Sequence, residues 1–405
     1  MTTAPLRRFV TCSDGGRVPL NSEERAAIPG AIPYWGANGV VDYVGEALFE
    51  QELVLLGEDG APFDDPTRDV AFLVNEAVWV NNHIHVLVPH ADVDSRFLTY
   101  ALNAIDWMVH VSGSTRLKLT QDDMMSARIP VAPLAEQRAI ADYLDAETAR
   151  IDALIAKKQQ LIRLLEERHA EANEAALTGV TGAERRTSSS GFFAEIAATW
   201  GETTLRHLGC EVQTGPFGSQ LHAEEYVEDG WPVVNPANIR HGEIRSISTM
   251  TVSDTKREEL QRHVLRPGDI VFGRRGEMGR AALIQDRQAG WLCGTGSLRL
   301  RITGDLLTAE YLAELLRTKA LRRYFELTSV GSTMDNLNSE ILLSMPCLVP
   351  SRAQQETVVG QVRLWAKQSE AARTNLARQI ALLTERRQAL ITAAVTGEFA
   401  VPGAP

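Results

Sequence analysis

The tripeptide Gly113-Ser114-Thr115 returns as Gly331-Ser332-Thr333, and the same offset of 218 residues carries Thr178-Gly179 onto Thr396-Gly397 without a gap. In that register Leu119 falls on Leu337, Met124-Met125-Ser126 on Leu342-Leu343-Ser344, Gln137 on Gln355, Ile140 on Val358 and Leu164-Leu165 on Leu382-Leu383. One register across so many points makes the chain two copies of one plan, related by a pseudo-twofold repeat.

Each copy is a globular part followed by a helix. A Pro-containing extended stretch, Ile129–Pro133 or Met345–Pro350, closes the globular part. Behind it lies a segment free of Pro and nearly free of Gly, residues 134–177 and 352–395, dominated by Ala, Leu, Glu, Gln, Lys and Arg; this composition predicts helix. Thr178-Gly179 and Thr396-Gly397 supply the stops, since glycine takes the left-handed cap without strain. The globular parts hold short β-branched runs between Gly, Pro and Asn turns: Val40–Val44, Val78–Val80, Ile84–Val88, Ile270–Phe272 and Leu298–Ile302. Each also carries a short helix, around 95–109 and 308–326. The fold class is therefore α+β. The expected order is a first globular domain 1–133, a spacer helix 134–180, a Ser-rich linker 181–199, a second domain 200–351, a second helix 352–397 and a tail 398–405.

The two helices carry matching apolar lines at coiled-coil spacing. One runs Val358, Val362, Trp365, Ser369, Ala372, Leu376, Ile380, Leu383, Arg387, Leu390, Ala394; the other runs Ile140, Leu144, Glu147, Ile151, Leu154, Lys158, Ile162, Leu165, His169, Ala172, Ala176. Antiparallel pairing about Lys158 and Leu376 sets Ile151 against Leu383, Leu154 against Ile380, Leu144 against Leu390 and Glu147 against Arg387. Each helix would be a rigid spacer of roughly 60 Å, at about 1.5 Å per residue.

With 44% hydrophobic and 23% charged residues the chain can bury real cores. It has no run of 18 apolar residues, and no apolar signal core follows Met1–Arg8, so no membrane partner and a cytoplasmic location are expected. The cysteines Cys12, Cys210, Cys293 and Cys347 are far apart and read as inert thiols. The net charge is −11, and residues 1–135 alone hold 18 Asp/Glu against 9 Lys/Arg. A polyanion would have to be held by local basic loops or with a partner's help.

Specific motifs lie in the second globular part: Gln213-Thr214-Gly215-Pro216-Phe217-Gly218-Ser219-Gln220-Leu221, then Gly268-Asp269-Ile270-Val271-Phe272-Gly273-Arg274-Arg275-Gly276, Gly279-Arg280 and Gly294-Thr295-Gly296. The first part has Ile32-Pro33-Tyr34-Trp35-Gly36-Ala37-Asn38-Gly39 and Pro133-Leu134-Ala135-Glu136-Gln137. This order resembles the DNA specificity subunit of type I restriction-modification systems, over essentially the whole chain. The resemblance implies two target recognition domains, each reading half of a split double-stranded DNA target, and an antiparallel coiled coil fixing the distance between the halves. It implies a non-catalytic subunit with no cofactor of its own. Two methyltransferase (modification) subunits would bind S-adenosylmethionine and carry out DNA methylation, and restriction subunits would join through them in phage defence. The sequence departs from the pattern at Ala353-Gln354-Gln355, where the first copy has Ala135-Glu136-Gln137, and in the acidity of its first domain.

Candidate DNA contacts follow from side-chain chemistry. Arg274, Arg275 and Arg280 sit in a Gly-flanked turn, where arginine reaches phosphate or guanine; the alternative is a solvated turn. Thr214, Phe217, Gly218 and Ser219 form either a DNA-facing loop or a tight turn around a buried Phe. In the first domain Asn38, Asn81, Asn82 and His83 are candidate base readers or plain turn residues, and Arg116 and Lys118 candidate phosphate holders. His83 and His85 lack a third ligand at metal spacing. Asn235-Pro236-Ala237-Asn238 lacks the second Pro and the aromatic ring of an amino-methyltransferase motif, and Gly273–Gly279 is no P-loop. Two rivals stand beside the DNA reading: a coiled-coil scaffold whose β domains bind protein, and a fused methyltransferase.

Overall fold

The computed structural model describes all residues except 1, 114–115, 183, 219, 241, 246–247, 277, 330–336 and 403–405. The chain divides into two compact units, Met1–Ile162 with Thr374–Pro405, and Arg163–Arg373. The cut passes through both long helices, Leu134–Thr178 and Arg352–Thr396, so each unit holds one globular part and a segment of each helix. Both helices begin where the Pro-containing stretches end, and both stop at a glycine with positive φ: Gly179 at 73° and Gly397 at 76°.

The first unit is built on a four-stranded antiparallel sheet in the order Val10–Cys12, Ile84–Pro89, Leu53–Gly57, Ala71–Val74. A three-stranded sheet lies beside it, with Pro29–Gly36 between Gly39–Val44 (antiparallel) and Trp79–Val80 (parallel). Leu53–Gly57 is buried at every position. Val54 and Leu56 pack with Leu98, Leu102 and Trp107. Leu53 and Leu55 face Val78, Val80, Ile84 and Val86. A strand covered on both faces has no polar alternation, and each leucine removed from water contributes about 1.5–3 kcal/mol.

The second unit repeats this topology. Its four-stranded sheet runs Cys210–Thr214, Ser297–Ile302, Ile270–Gly273, Ala281–Leu283; its three-stranded sheet has Trp231–Val234 between Thr251–Val252 and Leu292–Cys293, the latter again parallel. The pairing Thr3–Pro5 with Arg128–Pro130 is matched by Gly201–Thr204 with Pro346–Val349.

Two expectations need correction. In the first unit the helix segments do run antiparallel, and Ile140, Ala141 and Leu144 share a core with Ile391, Ala394 and Val395. The register differs, however. Lys158 Nζ donates to Gln379 Oε1 at 2.5 Å, and Arg387 pairs with Asp152 and Asp69, each at 3.2 Å, while Glu147 binds Arg150 on its own helix. Thr148 is buried one position on from Glu147, and Leu154 is 48% exposed. The short helix Ser95–Asn103 adds Phe97 and Ala101 to the same core, so the seam serves two neighbours and drifts from a strict heptad line. Of the remaining positions on the two apolar lines, Ile151 is buried, Ile162, Leu165, Leu376, Ile380, Leu383 and Leu390 are half-buried, and in the second unit Val358 and Val362 are buried with Trp365 packed beside them.

The second correction concerns residues 181–199. Arg185–Thr187 pairs antiparallel with Glu195–Ala197, and Phe193, Ile196 and Ala197 join the main core of the second unit. The Ser-rich run is a cradle for the Glu202 carboxylate. Ser188 Oγ, Ser189 N (2.9 Å), Ser189 Oγ (2.8 Å) and Ser190 N (3.1 Å) all donate to it. Burial alone would raise this carboxyl, but the donors outweigh burial and bring it down to about 2. A depressed carboxyl stabilises the fold above its ordinary value of 4.5, and that contribution is lost as pH falls from 4.5 toward 2. We therefore expect Glu202→Gln to speed amide exchange in the Arg185–Thr187 hairpin by tenfold or more at pH 7, roughly a 1.4 kcal/mol effect or larger. The gap to the parent should narrow below pH 4.5; a gap independent of pH would remove the carboxylate from the account.

Candidate nucleic-acid interface

Strand Ile270–Gly273 runs into Arg274-Arg275-Gly276, and Gly276 has φ of 82°. The equivalent strand of the first unit, Leu53–Gly57, runs into Glu58-Asp59-Gly60, and Gly60 has φ of 76°. The match extends to the hydrogen bonds. Leu337 N donates to Arg274 O at 2.9 Å, and Leu119 N donates to Glu58 O at 2.8 Å. One turn thus occurs twice, with two guanidiniums in one copy and two carboxylates in the other.

In the second unit this turn lines an open cleft of about 460 Å³ with Phe217, Thr295 and Gly296. Gly215 makes it: a Cβ there would stand 1.8 Å from Gly294 O, so only glycine lets the Phe217 loop lie against the Gly294–Gly296 turn. Arg274 N donates to Gly296 O at 2.9 Å, its Nε to Leu337 O at 3.3 Å, and its guanidinium carbon is 5.9 Å from the Phe217 ring centre. Phe217 is 54% exposed. Arg275 is exposed and has no side-chain partner among the described residues. An exposed ring beside two arginines can stack on a base and hold phosphate or guanine.

Of the other candidates in this unit, Arg280 bends back on the turn: its Nη2 donates to Arg275 O at 3.4 Å and its Nε is buried without a partner among the described residues. It braces the turn. Thr214 ends the strand paired with Ser297–Ile302 and is half-buried, Gly218 is exposed, and Ser219 lies outside the described residues.

In the first unit the acidic turn gathers candidates from separate loops. Asn38 Nδ2 donates to Gly60 O at 3.2 Å, His83 Nδ1 is 3.4 Å from Asp59, Arg116 is ion-paired with Asp59, and Lys118 lies 3.4 Å from Glu58. Glu58 also binds Arg17 at 2.5 Å. Asn82 is exposed nearby in sequence, whereas Asn81 is buried and its Oδ1 holds His83 N at 2.8 Å, a turn-making role. The cations of this surface are thus balanced by carboxylates. The sequence reading missed Glu58 and Asp59, and held Thr295 and Gly296 only as part of the Gly294-Thr295-Gly296 motif, not as contacts. The signal was present: Gly57-Glu58-Asp59-Gly60 and Gly273-Arg274-Arg275-Gly276 share a Gly-x-x-Gly frame after a strand.

Cys12, Asp14 and His85 offer ligand atoms within 4.8 Å of one another. Those atoms are committed to one another and to the backbone. His85 Nδ1 meets Asp14 at 2.6 Å and its Nε2 meets Leu119 O at 3.1 Å, Asp14 Oδ1 accepts from Val86 N, and burial pushes the Cys12 thiol up to about 11. This is a hydrogen-bonded core cluster rather than an open ligand set.

A second basic cleft, of about 220 Å³, opens on the sheet of the second unit. Glu211, Gln213, Gln261, Arg262, Val264, Arg266, Arg299 and Arg301 line it.

A family model described as the type I restriction modification DNA specificity domain matches residues 9–164. Over 145 residues the chain is 34% identical to a putative type I restriction enzyme specificity subunit of Haemophilus influenzae, covering 36% of this chain and 37% of that protein. It is 21% identical over 316 residues to the EcoBI specificity subunit of Escherichia coli, covering 76% of this chain and 66% of that one. The matched part thus spans from about a third to just under two thirds of these curated relatives. A solved chain from work on complex assembly and conformational transition of the type I R-M system matches over 98% of both chains at 16% identity with a TM-score of 0.67; at that identity the likeness is one of fold.

Proposed function

We propose that the chain is a type I restriction-modification specificity subunit, a non-catalytic protein that reads a bipartite double-stranded DNA target, one half through each unit; its similarity to such subunits supports this reading. The carrying observation is the duplicated turn, with Glu58-Asp59 in one unit and Arg274-Arg275 in the other. A fold that repeats while the side chains at one turn reverse their charge suits two readers of different sequences: arginine pairs with guanine, and carboxylates accept from cytosine amino groups. The long helices set the half-site spacing. Two methyltransferase subunits, carrying S-adenosylmethionine, dock on the chain and act on the DNA it selects, and restriction subunits assemble through them. No helix among the described residues is long and apolar enough to cross a membrane; the proposed place of work is the cytoplasm, on cellular and invading DNA.

Long-read mapping of methylated bases, in cells expressing this chain with its neighbouring methyltransferase, tests the proposal. We expect a split target with a fixed gap. Exchange of residues 200–351 for those of a relative should alter one half only. A continuous target, or no new methylation from an assembled complex, would refute the two-reader reading and favour a scaffold.

A further inference from the structure

We propose that the cleft formed by Arg262, Arg266, Arg299 and Arg301 is a binding site for one phosphate of the DNA backbone, present in the second unit alone. The proposal rests on the DNA-reading function above. Its starting point is a charge the fold does not require. Arg299 pairs with Val271 on the neighbouring strand, and the equivalent of Val271 in the first unit, Leu55, pairs with Val86. The next outward-alternating position is Arg301 in one unit and Val88 in the other. Valine therefore serves the same sheet position in the first unit. In the second, Arg299 is only 4% exposed, and burying a charge is costly unless it is paired.

The pairing is partial. Arg299 Nη2 donates to Glu211 at 2.7 Å and Nη1 to Arg262 O at 3.2 Å, while Nε has no partner among the described residues. Arg301 is held bidentately by buried Asp269, both bonds at 2.7 Å, which raises its already high pKa and fixes its plane. Arg262 and Arg266 are exposed and have no carboxylate partner among the described residues. Four guanidiniums thus share two carboxylates around one opening. Two fixed arginines below and two free ones at the rim make a concave anion site, and arginine matches phosphate geometry through two N–H donors.

The placement favours a backbone phosphate over a free anion. Arg299 lies two residues into the strand Ser297–Ile302, roughly 7 Å of extended chain, and that strand begins directly after the Thr295-Gly296 turn. Thr295 lines the Phe217–Arg274–Arg275 cleft. A duplex strand advances about 3.4 Å of axis per phosphate, so a strand read at that cleft passes the arginine site within a few nucleotides.

The test uses the full chain assembled with its methyltransferase subunit, binding target and random duplexes across a chloride series. Arg262→Gln with Arg266→Gln should weaken both duplexes by the same factor, several-fold or more. It should also flatten the log–log salt slope by about one, and leave the methylated sequence unchanged. Arg373→Gln, which removes an exposed helix arginine paired with Glu370, should leave the slope as it was. Replacing chloride by inorganic phosphate at equal ionic strength should compete with DNA more strongly in the parent than in the double variant. An unchanged slope with target binding intact overturns the phosphate site, as does inorganic phosphate binding there without effect on DNA. Failure of the parent complex to bind any duplex would instead overturn the function on which the site depends.

Discussion

Replacing Arg274 and Arg275 together by alanine is expected to lower affinity for the target duplex by about 100-fold and to relax recognition in one half-site only. Each good arginine contact to guanine contributes about 1–3 kcal/mol of discrimination, and a phosphate contact adds a salt-dependent share. Both side chains line the open cleft beside an exposed Phe217, and no carboxylate among the described residues offsets them. The same substitution at Arg116 and Lys118 should cost far less, because Asp59 and Glu58 already neutralise those cations, and the two carboxylates keep His83 and Arg17 beside them. Binding isotherms on duplexes mutated in one half at a time separate the two cases. Equal losses from both pairs, or a loss spread over both half-sites, would contradict the assignment of the two turns to different halves.

That contrast marks where sequence reading reached and where it stopped. The long helices were legible because their composition and the absence of Pro decide helix locally, and because Gly179 and Gly397 end them by a local cap. The sheets were only partly legible. Leu53–Gly57, buried on both faces, has no period-two pattern to detect. Nor does the repeat keep one offset there: Thr178 maps to Thr396 at 218, but Gly57 maps to Gly273 at 216 and Ile84 to Ser297 at 213, since the loops differ in length. The carboxylates of the first unit were passed over because donors, not acceptors, are sought at a polyanion's surface, although the acceptors are what orient Arg116, Lys118 and His83. Likewise Ser188–Ser190 reads as linker until Glu202, distant in sequence, is seen to need four donors. The helix register failed for a related reason, since Arg387 finds Asp69 in the globular part as well as Asp152 on the partner helix, a contact no heptad pattern contains.

Gln355→Leu is expected to destabilise the second unit by about 3–5 kcal/mol, and Gln137→Leu the first by a similar amount. Gln355 is fully buried. Its Oε1 accepts from Thr308 N at 2.8 Å and Thr308 Oγ1 at 3.0 Å, and its Nε2 donates to Leu306 O at 2.8 Å and Pro350 O at 2.9 Å. Thr308 is the N-cap of the short helix Ala309–Leu315. Gln137 repeats the arrangement: Oε1 accepts from Asp94 N at 2.8 Å, Asp94 caps Ser95–Asn103, and Nε2 donates to Ala132 O at 2.8 Å and Asp92 O at 3.3 Å. One amide therefore ties the first turn of a long helix, the Pro-containing strand before it and the cap of a domain helix into one joint, twice. Leucine fills the volume but strips partners from an N–H and two carbonyls, at about 1–3 kcal/mol for each that stays shielded from water, before relaxation. The neighbour Gln354 is exposed and only caps its own helix start through Ser351, so Gln354→Ala should cost about 1 kcal/mol or less. Thermal unfolding of the four proteins makes the comparison. Similar melting for Gln354→Ala and Gln355→Leu would show that the joint carries no special share of stability. A selective loss at Gln355 and Gln137 would mean that the angle between each reader and its spacer helix is set by a buried hydrogen-bond network, the kind of rigid attachment a fixed half-site spacing requires.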